Sequence, residues 1–133
     1  MNGIPEALHY LDNAKEILKD KAQKEDGLYQ DKKYVKMAGH TAYLGVLVAL
    51  DELLGTKKKG RKSVEWYKGE LSKMDKKTTS LFDAVYETLH LSMGYDGNPS
   101  AKIASAGLEE AVRIIHWVET RLGKMQQGLV VKI

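Results

Sequence analysis

Five cations crowd into six residues at Lys57, Lys58, Lys59, Arg61 and Lys62, interrupted only by Gly60. Between residues 55 and 80 nine basic residues stand against three acidic ones, while the flanking segments, 1–54 and 81–133, are each slightly acidic. The whole positive excess of this +3 chain therefore lies in one short region. Such a cluster is an electrostatic footprint for phosphate, as in nucleic acid, a nucleotide or an acidic partner. The simpler reading is a solvated loop that keeps a helical hairpin soluble. Aromatic support for stacking is thin, because only Trp66 and Tyr67 follow and Tyr67 is expected to point inward.

Histidine–acid pairs form a second set. His9 and Asp12, Glu87 and His90, and His116 and Glu119 are each three apart. On a helix that spacing projects both side chains together. Di-metal carboxylate bundles supply ligands this way, but they need two Glu-x-x-His pairs and two further glutamates. Only Glu87-x-x-His90 has the right order, so surface pairing is the simpler reading and no metal site or cofactor is assigned. A metal-binding bundle stands as a second alternative function. His90 facing Arg113 and His116 across two helices makes a candidate groove for a small anion. Nucleophilic catalysis has no support: Cys is absent, and no Ser stands in a G-x-S-x-G turn. Nor is there a glycine-rich phosphate loop, so no catalytic residue is assigned. Asp51 is expected to face solvent near a helix end, and His40 to sit at the edge of the core.

The elements that position these residues are helical. Tyr34–Leu54 has no charged residue from Thr41 to Leu50 and is apolar nearly all round, which predicts a central helix touched by several partners. Ala38, Ala42, Gly45 and Ala49 make a smooth seam on it, and Tyr43, Leu47, Leu50 and Leu54 a bulky one. Before it, Ile4, Leu8, Leu11, Ala14 or Lys15, Leu18 and Ala22 predict a helix from about Pro5 to Lys24, ended by Glu25, Asp26 and Gly27. Gly55 is expected to cap the central helix, and Ser63 to open a short one carrying Val64, Tyr67, Leu71 and Met74 on one face. A fourth helix should run to about Met93, with Leu81 or Phe82, Val85, Leu89 and Met93 inward. Gly94–Pro99 reads as a turn, with Asn98 capping the last helix. That helix buries Ala104, Leu108, Ala111, Ile115, Val118, Leu122 and Met125. Residues 126–133 are read as a C-terminal tail, of which Leu129–Ile133 is β-prone, and no strand hairpin is expected. The result is a single all-α domain over residues 1–133: an antiparallel up-and-down four-helix bundle with an additional short helix, five in all.

Composition sets the remaining bounds. A chain of 133 residues, 43% hydrophobic and 29% charged, is one ordinary globular domain. Ten uncharged residues fall short of the roughly 20 that span a bilayer, so no membrane is expected. The start, MNGIPEALHYLDNAKE, has no basic stretch followed by an apolar run, so the expected location is cytoplasmic.

Two features resemble known families. Tyr34, His40, Ala42, Tyr43, Ala49, Asp51 and Leu53 are spaced as in the second helix of HEPN-like bundles, the higher-eukaryote and prokaryote nucleotide-binding domains. The segment Leu89–Gly97 resembles one in a family of small, uncharacterised bacterial all-helical proteins. RNA-cleaving HEPN proteins carry Arg and His separated by four to six residues, whereas Arg113 and His116 here are separated by two. The resemblance therefore implies no RNase activity. It implies a non-enzymatic binding or interaction module, expected as a homodimer. An RNA- or nucleotide-directed binder or degenerate nuclease is the alternative.

Overall fold

A computed structural model describes residues 3–55 and 62–131, with side chains through residue 125. Its helices are α1 (Ile4–Asp20), α2 (Lys32–Leu54), α3 (Val64–Ser72), α4 (Lys76–Val85) and α5 (Ala101–Val131). A ten-residue π-helix, Tyr86–Tyr95, continues α4 without a break. Together they form the expected all-α bundle, with α3 as the short extra member.

α2 packs against α1, the π-helix and α5, and its smooth seam is why. Ala38, Ala42 and Ala49 are fully buried. A Cβ placed on Gly45 would lie 2.8 Å from the Ala7 carbonyl oxygen of α1, so the two backbones are in contact there. Gly39 does the same for the π-helix, where a Cβ would fall 2.5 Å from the Leu89 carbonyl oxygen. The bulky seam is less complete: Tyr43 and Leu50 are buried, whereas Leu47 and Leu54 are only partly so. One face of α2 is also open, with Met37 and Leu44 each nearly half exposed. The helix is thus a member of the bundle with three neighbours and an outer surface, not a fully enclosed axis. Among the described residues it alone is long and apolar enough to cross a membrane, and half of its most apolar window is buried in the bundle.

Helix ends follow side-chain chemistry. Asp31, Ser63 and Asp75 cap α2, α3 and α4 by accepting from the backbone N–H groups of Lys33, Trp66 and Lys77. Gly55 closes α2 in the left-handed conformation, as expected. Of the two alternatives on α4, Phe82 is the buried one.

Several expectations are corrected. α1 stops at Asp20, and residues 24–29 form a small antiparallel hairpin, β1 (Lys24–Glu25) with β2 (Leu28–Tyr29). Asp26 (φ 52°) and Gly27 (φ 78°) both take positive φ, the requirement of the tight turn that Asp-Gly favours. The hairpin is tied to α5: Tyr29 donates to the Pro99 carbonyl and Ala101 to the Gly27 carbonyl. α5 opens at Ala101, where Ser100 accepts from Ile103, while Asn98 accepts from Ser100 in the turn before it. Helix continues through residues 126–131, which are not a β-prone tail. Leu122 is only partly buried and Met125 is exposed, because α5 outruns the helices that cover its earlier turns.

Candidate functional site

Lys15 and Lys19 are four apart on α1, beside the buried Leu18. Residues at that spacing share a face, so two ammonium groups flank one apolar floor. Across from them, Ser105, Leu108, Val112 and Arg113 recur at helical spacing on α5. The hairpin closes the end, bringing Lys24 from β1 and Tyr29 from β2. The resulting groove encloses about 940 Å³, a size typical of small-molecule sites. Four cations face it against one carboxylate, Glu109. Burial pushes the Tyr29 phenol above its usual range, so it stays a neutral hydrogen-bonding group at physiological pH. Beside the groove, burial raises the Glu110 carboxyl while Arg113 opposes the shift. Such an arrangement could hold an anionic group by charge and an apolar body against Leu18, Leu108 and Val112.

A second constellation joins α2, the start of α3 and the π-helix. Asp51 Oδ1 accepts from Lys62 Nζ at 2.9 Å and from the Tyr67 hydroxyl at 2.8 Å. The Lys62 side chain is only 7% exposed, with its ammonium 5.5 Å from the Trp66 ring centroid and 5.8 Å from that of Tyr67. Burial first, then the hydrogen bond to Asp51, raises the Tyr67 pKa far above that of a free phenol. Burial and the nearby Tyr86 raise Tyr43 likewise. His90 stacks on Tyr86 with centroids 5.1 Å apart, and lies 4.9 Å from the Tyr43 ring and 5.5 Å from that of His40. A cavity of about 660 Å³ runs along this cluster.

These placements revise the sequence-derived sites. In the basic loop, Lys57, Lys58, Lys59 and Arg61 lie outside the described residues, and Lys62 is turned into the protein onto Asp51. Asp51 is accordingly not a plain surface carboxylate: it is 39% exposed and holds two donors. His40 is exposed, beyond the core edge. The groove expected from His90, Arg113 and His116 is not assembled. His90 faces α2, Arg113 lines the α1–α5 groove, and His116 is exposed beside Glu119 at 3.7 Å, lining neither cavity. His9, Asp12 and Glu87 are exposed as well. Among the described residues no three His, Cys, Asp or Glu side chains converge as a metal site would require. Lys15, Lys19, Lys24 and Tyr29 were not anticipated as a site. Their one sequence signal is the Lys15–Lys19 pair beside Leu18, and its partners lie on a hairpin and a helix far along the chain.

Comparison with known proteins places these features in a family context. The model of a family described as a domain of unknown function (DUF5618) matches residues 2–120. A solved structure of a protein of unknown function from Dyadobacter fermentans is 55% identical, with a TM-score of 0.84 over 90% of this chain and 95% of that one. No curated protein matches.

Proposed function

The chain belongs to the DUF5618 family, and from that premise we propose that it is a non-enzymatic binding module for a small anionic ligand with an apolar body. One observation carries this reading: Lys15, Lys19, Lys24 and Arg113 line one groove together with Leu18, Leu108 and Val112. Phenyl phosphate, a dianion on an apolar ring, is a suitable probe. Titrated at low salt, it should shift the amide resonances of residues 15–19, 24–29 and 105–113. Binding should weaken at least about tenfold in the Lys19→Gln, Arg113→Gln double variant, since hydrogen bonds to charged groups are among the stronger ones. Raising salt should weaken it as well, because these side chains are solvent-facing. Unchanged resonances, or equal binding by the double variant, would refute the proposal.

RNA- or nucleotide-directed binding in the HEPN manner is the second reading, supported by the same cations with Tyr29 beside them. The reading does not extend to RNA cleavage, because two residues separate Arg113 and His116 where RNA-cleaving HEPN proteins have four to six. Gel retardation of RNA at low salt, lost when Lys15, Lys19, Lys24 and Arg113 are changed to Gln, would favour it. Phenyl phosphate binding without retardation of any RNA would favour the small ligand.

A further inference from the structure

The geometry points to a second, independent binding site in the cavity along α2, for a neutral planar heteroaromatic molecule bearing an amino N–H. Three observations select this chemistry. First, the polar end of the cavity is electrically balanced, because Asp51 is paired with the buried ammonium of Lys62 at 2.9 Å. The carboxylate and the ammonium that line it offset each other, whereas four cations face one carboxylate in the α1–α5 groove.

Second, both donors to Asp51 fall on Oδ1. Its other oxygen, Oδ2, accepts nothing among the described residues, although the side chain is 39% exposed. A carboxylate oxygen at the rim of an apolar cavity is a strong acceptor, and an amino group matches it. The Tyr67 hydroxyl is already committed to Oδ1 and kept protonated by burial, so it will not compete for that role.

Third, aromatic rings and aliphatic side chains make up most of the lining away from Asp51 and Lys62. α2 contributes His40, Tyr43, Leu47 and Val48 to this lining, α3 Val64 and Tyr67, and the π-helix His90. Aromatic faces and edges favour a second ring over an aliphatic chain of equal size. A volume of about 660 Å³ accommodates one or two fused rings with water remaining.

The test uses 2-aminopyrimidine, which is neutral near pH 7, titrated into the full chain and followed by amide chemical shifts. Residues 40–51 and 64–67 should respond, while those of the α1–α5 groove should not. Replacing the probe by 2-(dimethylamino)pyrimidine, which keeps the ring but has no N–H, should weaken binding about tenfold, the loss of one hydrogen bond to a charged acceptor. Asp51→Asn should do the same to 2-aminopyrimidine itself, with melting confirming that it folds. Because Asp51→Asn also leaves Lys62 without its anion, Val48→Phe provides a second variant that fills the cavity and spares every polar group. It should abolish the shifts. Shifts that are absent from residues 40–51, or that survive Val48→Phe, overturn the proposal; so does equal binding of the dimethylated probe.

Discussion

At Gly45 the difference between a hydrogen and a methyl group decides how close α1 and α2 can come. A Cβ there would meet the Ala7 carbonyl oxygen at 2.8 Å and the Tyr10 Cβ at 3.0 Å, and neither can retreat without moving a backbone. Gly45→Leu should therefore destabilise the protein by about 3 kcal/mol, the upper end of ordinary overpacking, because two helices must separate. Gly123, inside α5, meets nothing within 4 Å of its would-be Cβ. Gly123→Ala should raise stability by about 0.5–1 kcal/mol, since alanine loses less backbone entropy in a helix. Thermal and chemical melting of both variants checks the contrast. If Gly45→Leu melts like the wild type, the seam is not packed. The small-residue rhythm of α2 was legible in the sequence. That Gly39 faces the π-helix while Gly45 faces α1 was not, because spacing along one helix does not name the neighbour on each side.

Among the elements, the hairpin and the π-helix departed most from what periodicity predicts. Asp26 and Gly27 occupy a turn that demands positive φ, yet the strands are two residues each, too short for any alternation to register. What holds them is the start of α5, through Tyr29 to Pro99 and Ala101 to Gly27. Gly27→Ala keeps the space open but forces a Cβ into the left-handed region, at a cost of roughly 1–2 kcal/mol. Lower melting temperature together with weaker phenyl phosphate binding is the expected outcome, because the same hairpin carries Lys24 and Tyr29. Wild-type behaviour in both would mean the hairpin positions nothing. The π-helix arose from a segment whose apolar residues, Val85, Leu89 and Met93, fit α spacing equally well. Its widened turn sits where Gly39 of α2 and Gly94 of the π-helix pack closely, and π-turns often mark functional positions. Ring stacking of His90 on Tyr86 accompanies it.

For the whole molecule, stability should fall in alkali in a way traceable to two phenols. Tyr43 and Tyr67 both have folded-state pKa values raised above the ordinary tyrosine value near 10. Their contribution is fully present below that value and is lost as pH rises through the raised folded-state values, because the unfolded chain releases the protons first. Denaturant midpoints should therefore hold from neutral pH to about 9 and drop beyond 10, less steeply in Tyr43→Phe. A drop of equal slope in that variant would place the cause elsewhere. We also propose that the module is a homodimer, a reading favoured by α2, whose apolar window is only half buried within one chain. Light scattering after size exclusion should give twice the 14.9 kDa chain mass, and a monomer mass at every concentration tested would exclude it.

By itself the sequence determined the all-α class, the order of the five helices, most of their core faces and the caps at Gly55 and Ser63. These depend on the local period of 3.6 residues and on the chemistry of helix ends, both read over a few neighbouring positions. Only the tertiary structure decided the sites. Lys15, Lys24 and Arg113 share one groove although nearly a hundred residues separate the first from the last. Lys62 pairs with Asp51 of α2, because a lysine whose stem is buried must find its counter-ion within reach. His90 lies apart from Arg113 because it meets His40 and Tyr43 of α2 while Arg113 lines the groove between α1 and α5, and which face meets which partner is set by packing between helices.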